Sequence, residues 1–162
     1  MTPQQQAAIE AVYGSALSEA QALAVAPMVD ERRDKDLADY LSQGRTEIRP
    51  RMTSARGIAE RMSGGPLAAE VVLIKLEGAR DALLASASQN DKVLGSLLRR
   101  QLGFLAGEGL DFGSAALRGM LDQFVTAGIL TAGEVAALKA IAEFAAPIEV
   151  VRISDALNAL GA

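Results

Sequence analysis

The sequence PLAAEVVLIKLEGARDALLASAS, residues 66–88, carries the strongest helix signal in the chain. At about 100° per residue, four of its five charged side chains fall within roughly a third of the helix circumference. Most of the remaining positions hold leucine, valine, isoleucine or alanine. A helix that is apolar over most of its circumference is typical of a buried element. We therefore expect this helix to be central and to be packed by neighbours on several sides.

The N-terminal residues predict another helix. Thr2, Pro3 and Gln5 form a helix start with a capping box. The apolar spacing that follows predicts one helix that runs to about Ala24, because Pro27 opposes its continuation. The apolar stripe is narrow and rich in alanine, so this helix is expected to pack on its own chain or on a neighbouring protein.

The fold class predicted from these patterns is mainly α. Residues 1–26 are predicted as an N-terminal amphipathic helix, a possible arm, and residues 27–162 as the helical domain. The domain is expected to be a compact multi-helix bundle, with six or seven helices in all and one short extended or edge-strand element near residues 45–52. Helices and strands do not alternate, which argues against a parallel α/β enzyme fold.

Composition narrows the possible classes of protein. The chain has 162 residues, of which 50% are hydrophobic, and a formal net charge of −4. An acidic balance disfavours a protein that coats nucleic acid, for which a basic excess is expected. The chain has no cysteine and no histidine. Disulfides, thiolate nucleophiles, zinc sites of thiolates or imidazoles, and histidine acid–base chemistry are therefore excluded within one chain.

Neither a secretion signal nor a membrane span is predicted. The N-terminal sequence MTPQQQAAIEA has no basic region followed by an apolar core. Uninterrupted apolar runs stay well short of the roughly 18 residues that a membrane helix requires. We expect the protein to be made in the cytoplasm and to have no membrane partner.

The segment GRTEIRPRMTSARGIAERMSGGP, residues 44–66, holds five arginines in an otherwise acidic chain. Between residues 45 and 52 the odd positions are charged and the even positions are less polar. A period of two predicts an extended strand or a polyproline-like strip with one charged face. Pro50 cannot donate to a sheet, so an edge strand or a covered loop is favoured.

Three interpretations of these arginines remain open. They pair with the chain's own carboxylates, they bind a partner protein, or they follow a nucleic-acid backbone. Glu47 and Glu60 lie in the same segment, which lacks an aromatic side chain for base stacking; both features argue against nucleic acid. The candidate partner-binding residues are Arg45, Glu47, Arg49, Arg51 and Arg56.

No motif in the sequence points to catalysis, a metal ion or a cofactor. The phosphate-binding pattern G-x-x-x-x-G-K-[ST] is missing, and the acids in DERRDKD, residues 30–36, are interleaved with bases rather than spaced as in a calcium loop. Glu70 and Glu77 share a helical face, but other charged residues share it too, as is typical of solvent-exposed ion pairing. We predict no enzyme activity, no cofactor and no small-molecule substrate.

One resemblance to known proteins is carried by two regions. The string LSQGRTEIRP, residues 41–50, is followed by Gly57-Ile58, and the C-terminal part has Leu130-Thr131, then residues 137–143, Pro147 and a valine-rich helix. In these features the chain resembles small helical proteins encoded among the structural genes of tailed bacteriophages. The resemblance covers mostly residues 37–60 and 115–160. It implies a virion component near the tail or the head–tail joint, present in several copies, and it implies no catalytic residues.

The function expected from these observations is that of a non-enzymatic structural protein of a tailed-phage particle. Its partners would be other virion proteins or copies of itself, and its location the virion after synthesis in the host cytoplasm. The alternative is a small helical regulator or inhibitor that binds a host protein or nucleic acid.

Overall fold

A computed structural model describes residues 1–161 of the chain. These residues form nine α-helices and four short β-strands. The prediction of a mainly α fold is confirmed, whereas the predicted number of six or seven helices is wrong for residues 1–161. In chain order the elements are α1 (Pro3–Tyr13), α2 (Glu19–Asp30), α3 (Asp34–Ser42), β1 (Thr46–Ile48), β2 (Met52–Thr53), α4 (Ala55–Arg61), α5 (Gly65–Ala85), α6 (Gln89–Ala106), β3 (Leu110–Asp111), α7 (Ala115–Thr126), α8 (Ala132–Ala140), β4 (Glu143–Ala145) and α9 (Val150–Asn158).

The single N-terminal helix predicted to run to Ala24 is two helices. α1 ends at Tyr13, because Gly14 adopts the left-handed conformation with φ of 84°. α2 then begins after Ser18, whose hydroxyl accepts from the N–H of Gln21, while the Gln21 side chain accepts from the N–H of Ser18. This second capping box starts a new helix, and Pro27 lies inside it.

The strands form two small antiparallel sheets. β2 pairs with β3, with Met52 opposite Asp111 and Thr53 opposite Leu110, and β1 pairs with β4. The extended element predicted near residues 45–52 is present as β1 and β2. The glycine-rich residues 107–114, which contain β3, instead predict a loop, and residues 130–144, at whose end β4 begins, predict a helix. Extended backbone must find partners for its N–H and C=O groups, and local patterns do not reveal which segment supplies them.

The chain divides into two units, and the division does not follow the predicted boundary at residue 26, which lies inside α2. Unit 1 comprises residues 1–47 together with residues 145–161 and contains α1, α2, α3 and α9. Its C-terminal segment is tied to α3 by two hydrogen bonds: the Ser154 hydroxyl donates to Asp34 at 2.6 Å, and the Ile148 N–H donates to the Ser42 hydroxyl at 2.8 Å. Its fully buried side chains include Ile9, Val25, Val29, Leu37 and Ile153.

Unit 2 is the continuous stretch from residue 48 to residue 144 and contains α4 to α8 with the β2–β3 pair. α5 and α6 approach closely at Gly95, where an added Cβ would lie 3.0 Å from the Cβ of Leu83 and from the backbone nitrogen of Leu84. The core of this unit is apolar and includes Ile58, Val72, Leu76, Leu98, Leu121 and Leu138.

The expectation that α5 is central and covered on several sides is wrong. Its buried residues are Ala69, Val72 and Leu76, which lie on one side of the helix. Leu67, Val71 and Ile74 are 77%, 42% and 58% exposed. Neighbouring elements therefore cover one side of an apolar helix and leave the other side open. Within residues 1–161, neither α5 nor any other helix combines the length and apolar character needed to cross a membrane.

A tight backbone contact in unit 2 predicts the effect of one substitution. An added Cβ at Gly113 would lie 2.2 Å from the carbonyl oxygen of Arg49 and 2.9 Å from the Cα of Pro50. Gly113→Ala must displace that backbone, so we expect the free energy of unfolding in urea to fall by about 2–4 kcal/mol. Gly119→Ala is the matched control, because Gly119 lies in α7 with no atom within 4 Å of the added Cβ. The control should be neutral or stabilising by up to about 1 kcal/mol, and equal effects of both changes would contradict the prediction.

A second prediction concerns the acid dependence of stability. Lys75 Nζ donates to Glu134 at 2.6 Å, and this bond together with the N–H of Thr131 lowers the pKa of Glu134 from its usual 4.5. A lowered carboxyl pKa stabilises the folded state above the unfolded pKa, and the contribution is lost as the pH falls through the folded pKa. As the pH falls below 4.5, the free energy of unfolding of Lys75→Met should therefore decrease less steeply than that of the wild type. The measurement is a series of urea titrations from neutral to acidic pH.

The control for this series is Lys35→Met, which removes an ion pair whose two side chains, Lys35 and Asp39, are 77% and 64% exposed. We expect it to keep the wild-type dependence on pH, because solvent screens such pairs. If the free energy of unfolding of Lys75→Met changes with pH as steeply as that of the wild type, Lys75 does not lower the pKa of Glu134.

Candidate protein-binding surface

The candidate residues lie in the segment from residue 45 to residue 56, called here the arginine segment. Backbone hydrogen bonds hold it in place from both sides. The N–H of Arg51 donates to Asp111 Oδ1 at 2.7 Å, the N–H of Phe112 donates to the carbonyl of Arg51 at 3.1 Å, and the N–H of Arg49 donates to the carbonyl of Ala142 at 3.1 Å. Within unit 2, the backbone of residues 49–51 is therefore tied to two other segments of the chain.

Arg45 is the half-buried first residue of the segment and belongs to unit 1. Its guanidinium carbon lies 5.2 Å from the centroid of the Tyr13 ring, and its Nη1 donates to the carbonyl oxygen of Tyr13. Its Nε is buried and has no hydrogen-bond partner within residues 1–161. Arg45 is thus engaged mainly with α1 of its own unit.

Arg49 and Arg51 share one aromatic ring in unit 2. Their guanidinium carbons lie 5.4 Å and 4.9 Å from the centroid of the Phe144 ring, within the range of a cation–π interaction. Arg51 also donates from Nη1 to the carbonyl of Ile141 at 3.4 Å. Residues two apart on an extended chain point to the same side, so one ring in β4 can meet both cations.

The other two candidates behave differently. Arg56 projects from the first turn of α4 and forms an exposed ion pair with Glu60 at 2.9 Å, four residues along the helix. Glu47, in β1, is half-buried. The structure therefore does not gather the five candidates into one cluster. It places Arg45 on Tyr13, Arg49 and Arg51 on Phe144, and Arg56 on the surface of α4.

The outward face of the arginine segment is the less polar one. Ile48 and Met52 are 52% and 60% exposed, and Pro50 between them is exposed too. Arg45 and Arg51 are half-buried and lie against aromatic rings and backbone carbonyls, whereas Arg49 stays exposed with its guanidinium over the Phe144 ring. The alternation of polarity in the sequence marks these two faces, but hydrophobic patterning alone would place Ile48 and Met52 inside.

Sequence patterns also miss a second exposed apolar region, on α5 and α6. Leu67, Val71 and Ile74 on α5, and Val93, Leu94, Leu97 and Phe104 on α6, are all exposed. Each series has helical spacing, which predicts burial against the core. The pattern shows that a helix has an apolar face, and it does not show whether this chain or another protein covers that face.

The charged groups of the described chain are arranged for ion pairing. Within residues 1–161 the side chains form no group of three or more that could hold a metal ion. The hydrogen bond from Arg80 lowers the pKa of Asp81, as the one from Lys75 lowers that of Glu134. Both carboxyl groups are therefore ionised at neutral pH and accept hydrogen bonds without supplying a proton.

The contact between Arg51 and Phe144 can be measured directly. A double-mutant cycle of Arg51→Met and Phe144→Leu should give a coupling of about 0.5–1 kcal/mol in the free energy of unfolding. The matched cycle pairs Phe144→Leu with Arg56→Met, because Arg56 lies in the same segment but pairs with Glu60. We expect no coupling in the matched cycle, and no coupling in the first cycle would disprove the stacking.

Comparisons with protein-family models, with curated proteins and with solved structures find no match to this chain.

Proposed function

We propose that the chain is a non-enzymatic, protein-binding structural component of a tailed-phage particle, in its tail or head–tail region. The outward face of the arginine segment contacts a neighbouring virion protein. The observation that carries this proposal is the exposure of Ile48 and Met52 on an ordered segment, with the exposed side chains of Arg49 and Arg56 beside them in sequence.

This combination of residues suits a protein partner. The centre of a protein interface is depleted in charge and favours methionine and arginine, while charged groups lie at its rim. Ile48 and Met52 supply the apolar centre. Arg49 and Arg56 supply long stems that cover apolar surface and guanidinium groups that pair with carboxylates.

The order of the segment adds to the argument. Binding costs less free energy when the contacting side chains stand on backbone that is already fixed. The hydrogen bonds of Arg51 with Asp111 and Phe112 fix this backbone, and the Phe144 ring lies against the Arg51 guanidinium. Arg51 thus serves the proposed contact by positioning the segment, and Arg49 and Arg56 serve it by touching the partner.

The particle is proposed from the resemblance of residues 37–60 and 115–160 to small proteins encoded among tailed-phage structural genes. The arginine segment lies inside the first of these regions. A partner surface with exposed carboxylates and an apolar depression would match it in charge and in polarity.

The test is incorporation into particles. In a phage genome that encodes the chain, Met52→Asp and the double variant Arg49→Ala/Arg56→Ala should each lower the amount of the protein in density-purified particles by about tenfold or more, which corresponds to a loss of at least 1.4 kcal/mol. Quantitative mass spectrometry against the major capsid protein gives the ratio. Circular dichroism of the purified variants should keep the wild-type helical signal.

Leu23→Asp is the matched control, because Leu23 is an exposed leucine on α2 in unit 1, outside the proposed face. It should enter particles at the wild-type level. A wild-type chain that stays out of purified particles would overturn the virion assignment and favour the regulator. A chain that enters them equally well as wild type and as Met52→Asp would overturn the role of the segment.

A further inference from the structure

A long apolar groove runs between α6 and α7 in unit 2. Its wider part is a hollow of about 480 Å³. A second hollow of about 120 Å³ shares Leu97, Met120 and Gln123 with it and continues past Phe124 to Ile129. On the α7 side the wall includes Ala116 and Gly119, whose small side chains leave room for a helix to approach closely.

One rim of the groove carries unpaired positive charge. A shallow hollow on α6 adjoins the groove at Leu97 and is lined by Lys92, Val93 and Arg100. Lys92 and Arg100 are exposed and form no salt bridge within the described part of the chain, residues 1–161. The one carboxylate that lines the groove, Asp111, is already used, because it accepts the N–H groups of Arg51 and Gly113.

The exposed side of α5 has the opposite character. Leu67, Val71 and Ile74 follow each other at steps of four and three residues and form the α5 stripe. Glu70 and Glu77 lie within the same turns, are exposed, and form no salt bridge among residues 1–161. Both glutamates lie on the same side of the stripe, so the α5 stripe is an apolar ridge with one acidic flank.

The ridge and the groove match in length as well as in charge. From Leu67 to Gly78, the next exposed position on the same face, the ridge covers twelve residues, about 18 Å of helix at 1.5 Å per residue. The wall formed by α7, Ala115–Thr126, is 12 residues long and covers about 18 Å. A helical ridge of this length fills a groove of this kind, as in the helix-in-groove mode of recognition.

We propose that the α5 stripe of one copy of this chain docks into the α6–α7 groove of a second copy. Glu70 and Glu77 then lie against the rim that holds Lys92 and Arg100. The occupant is a second copy because both halves of the contact, matched in charge, polarity and length, are present on every chain. The contact uses none of the arginine segment, so it is independent of the partner contact proposed above.

Charge also decides the geometry of this assembly. Two stripes packed against each other would bring four glutamates together, and like charges at an interface oppose association. Two grooves facing each other would bring their lysines and arginines together in the same way. The favourable pairing joins two different surfaces, which makes a head-to-tail contact that closes into a ring or continues as a filament.

The test uses two variants that each disable one surface. Ile74→Glu places a charge on the stripe, and Leu97→Glu places one in the groove; both positions are exposed, so the fold tolerates the change. Wild type should form oligomers above about 10 μM in light scattering and sedimentation, and raising the salt should weaken them. Each variant alone should be monomeric, with self-association weakened on the order of 100-fold.

Mixing the variants is the decisive step. Leu97→Glu keeps its stripe and Ile74→Glu keeps its groove, so an equimolar mixture should form a one-to-one dimer. Leu23→Glu is the matched control, since it adds the same charge to an exposed leucine of unit 1, and it should assemble like the wild type. Circular dichroism confirms that all variants are folded.

Three outcomes would overturn the proposal. The wild type is monomeric at about 100 μM, the mixture fails to form a dimer, or Leu97→Glu alone still dimerises, which would indicate a contact between two stripes. None of these outcomes bears on the arginine segment. If self-association fails while Met52→Asp still lowers incorporation into particles, the proposed function stands and the groove receives another protein.

Discussion

The surface presented by the arginine segment depends on how one aromatic ring accommodates two cations. Phe144 receives the guanidinium groups of both Arg49 and Arg51, while the backbone of Arg51 is bound to Asp111 and Phe112. A guanidinium group is weakly hydrated and flat, so it can lie against a ring at a modest desolvation cost. Arg51 is half-buried in this arrangement, and Ile48 and Met52 face water beside the exposed Arg49. A segment that looks purely basic in the sequence thus exposes apolar side chains as well.

The same arrangement limits how much of the chain's positive charge is available to a partner. Arg45 lies on Tyr13, and the groups on Phe144 are partly withdrawn from solvent. The exposed cations of α6, by contrast, stand beside an apolar groove. Charged and apolar side chains therefore lie side by side at two places in unit 2, the arginine segment and the α6–α7 groove. At both places the apolar atoms can supply the contact area, and the charges restrict which partner fits.

Structural features that depend on residues close in sequence could be predicted, and features that depend on residues far apart in sequence could not. The capping box at Thr2 is read correctly from the sequence, because it involves residues three apart. The extended character of residues 45–52 is also read correctly from its period of two. The partners of β1 and β2 are missed, because β3 and β4 lie far along the chain and look like a loop and a helix end. The exposed side of α5 is missed because the sequence shows how many positions of this helix are apolar. It does not show which sides of the helix other elements cover.

The division of the chain into units has a consequence for the order in which the protein can form. Unit 2 is one unbroken stretch, whereas unit 1 joins residues 1–47 to residues 145–161. The hydrogen bond between Asp34 and Ser154 spans 120 residues of sequence. During synthesis on the ribosome, α1, α2 and α3 emerge before unit 2, and α9 emerges only after all of unit 2 has been made. Contacts between such distant residues form slowly, and they leave Ile9 and Leu37 without their full cover in the interval. These three helices are thus made before unit 2 but reach their final packing after it.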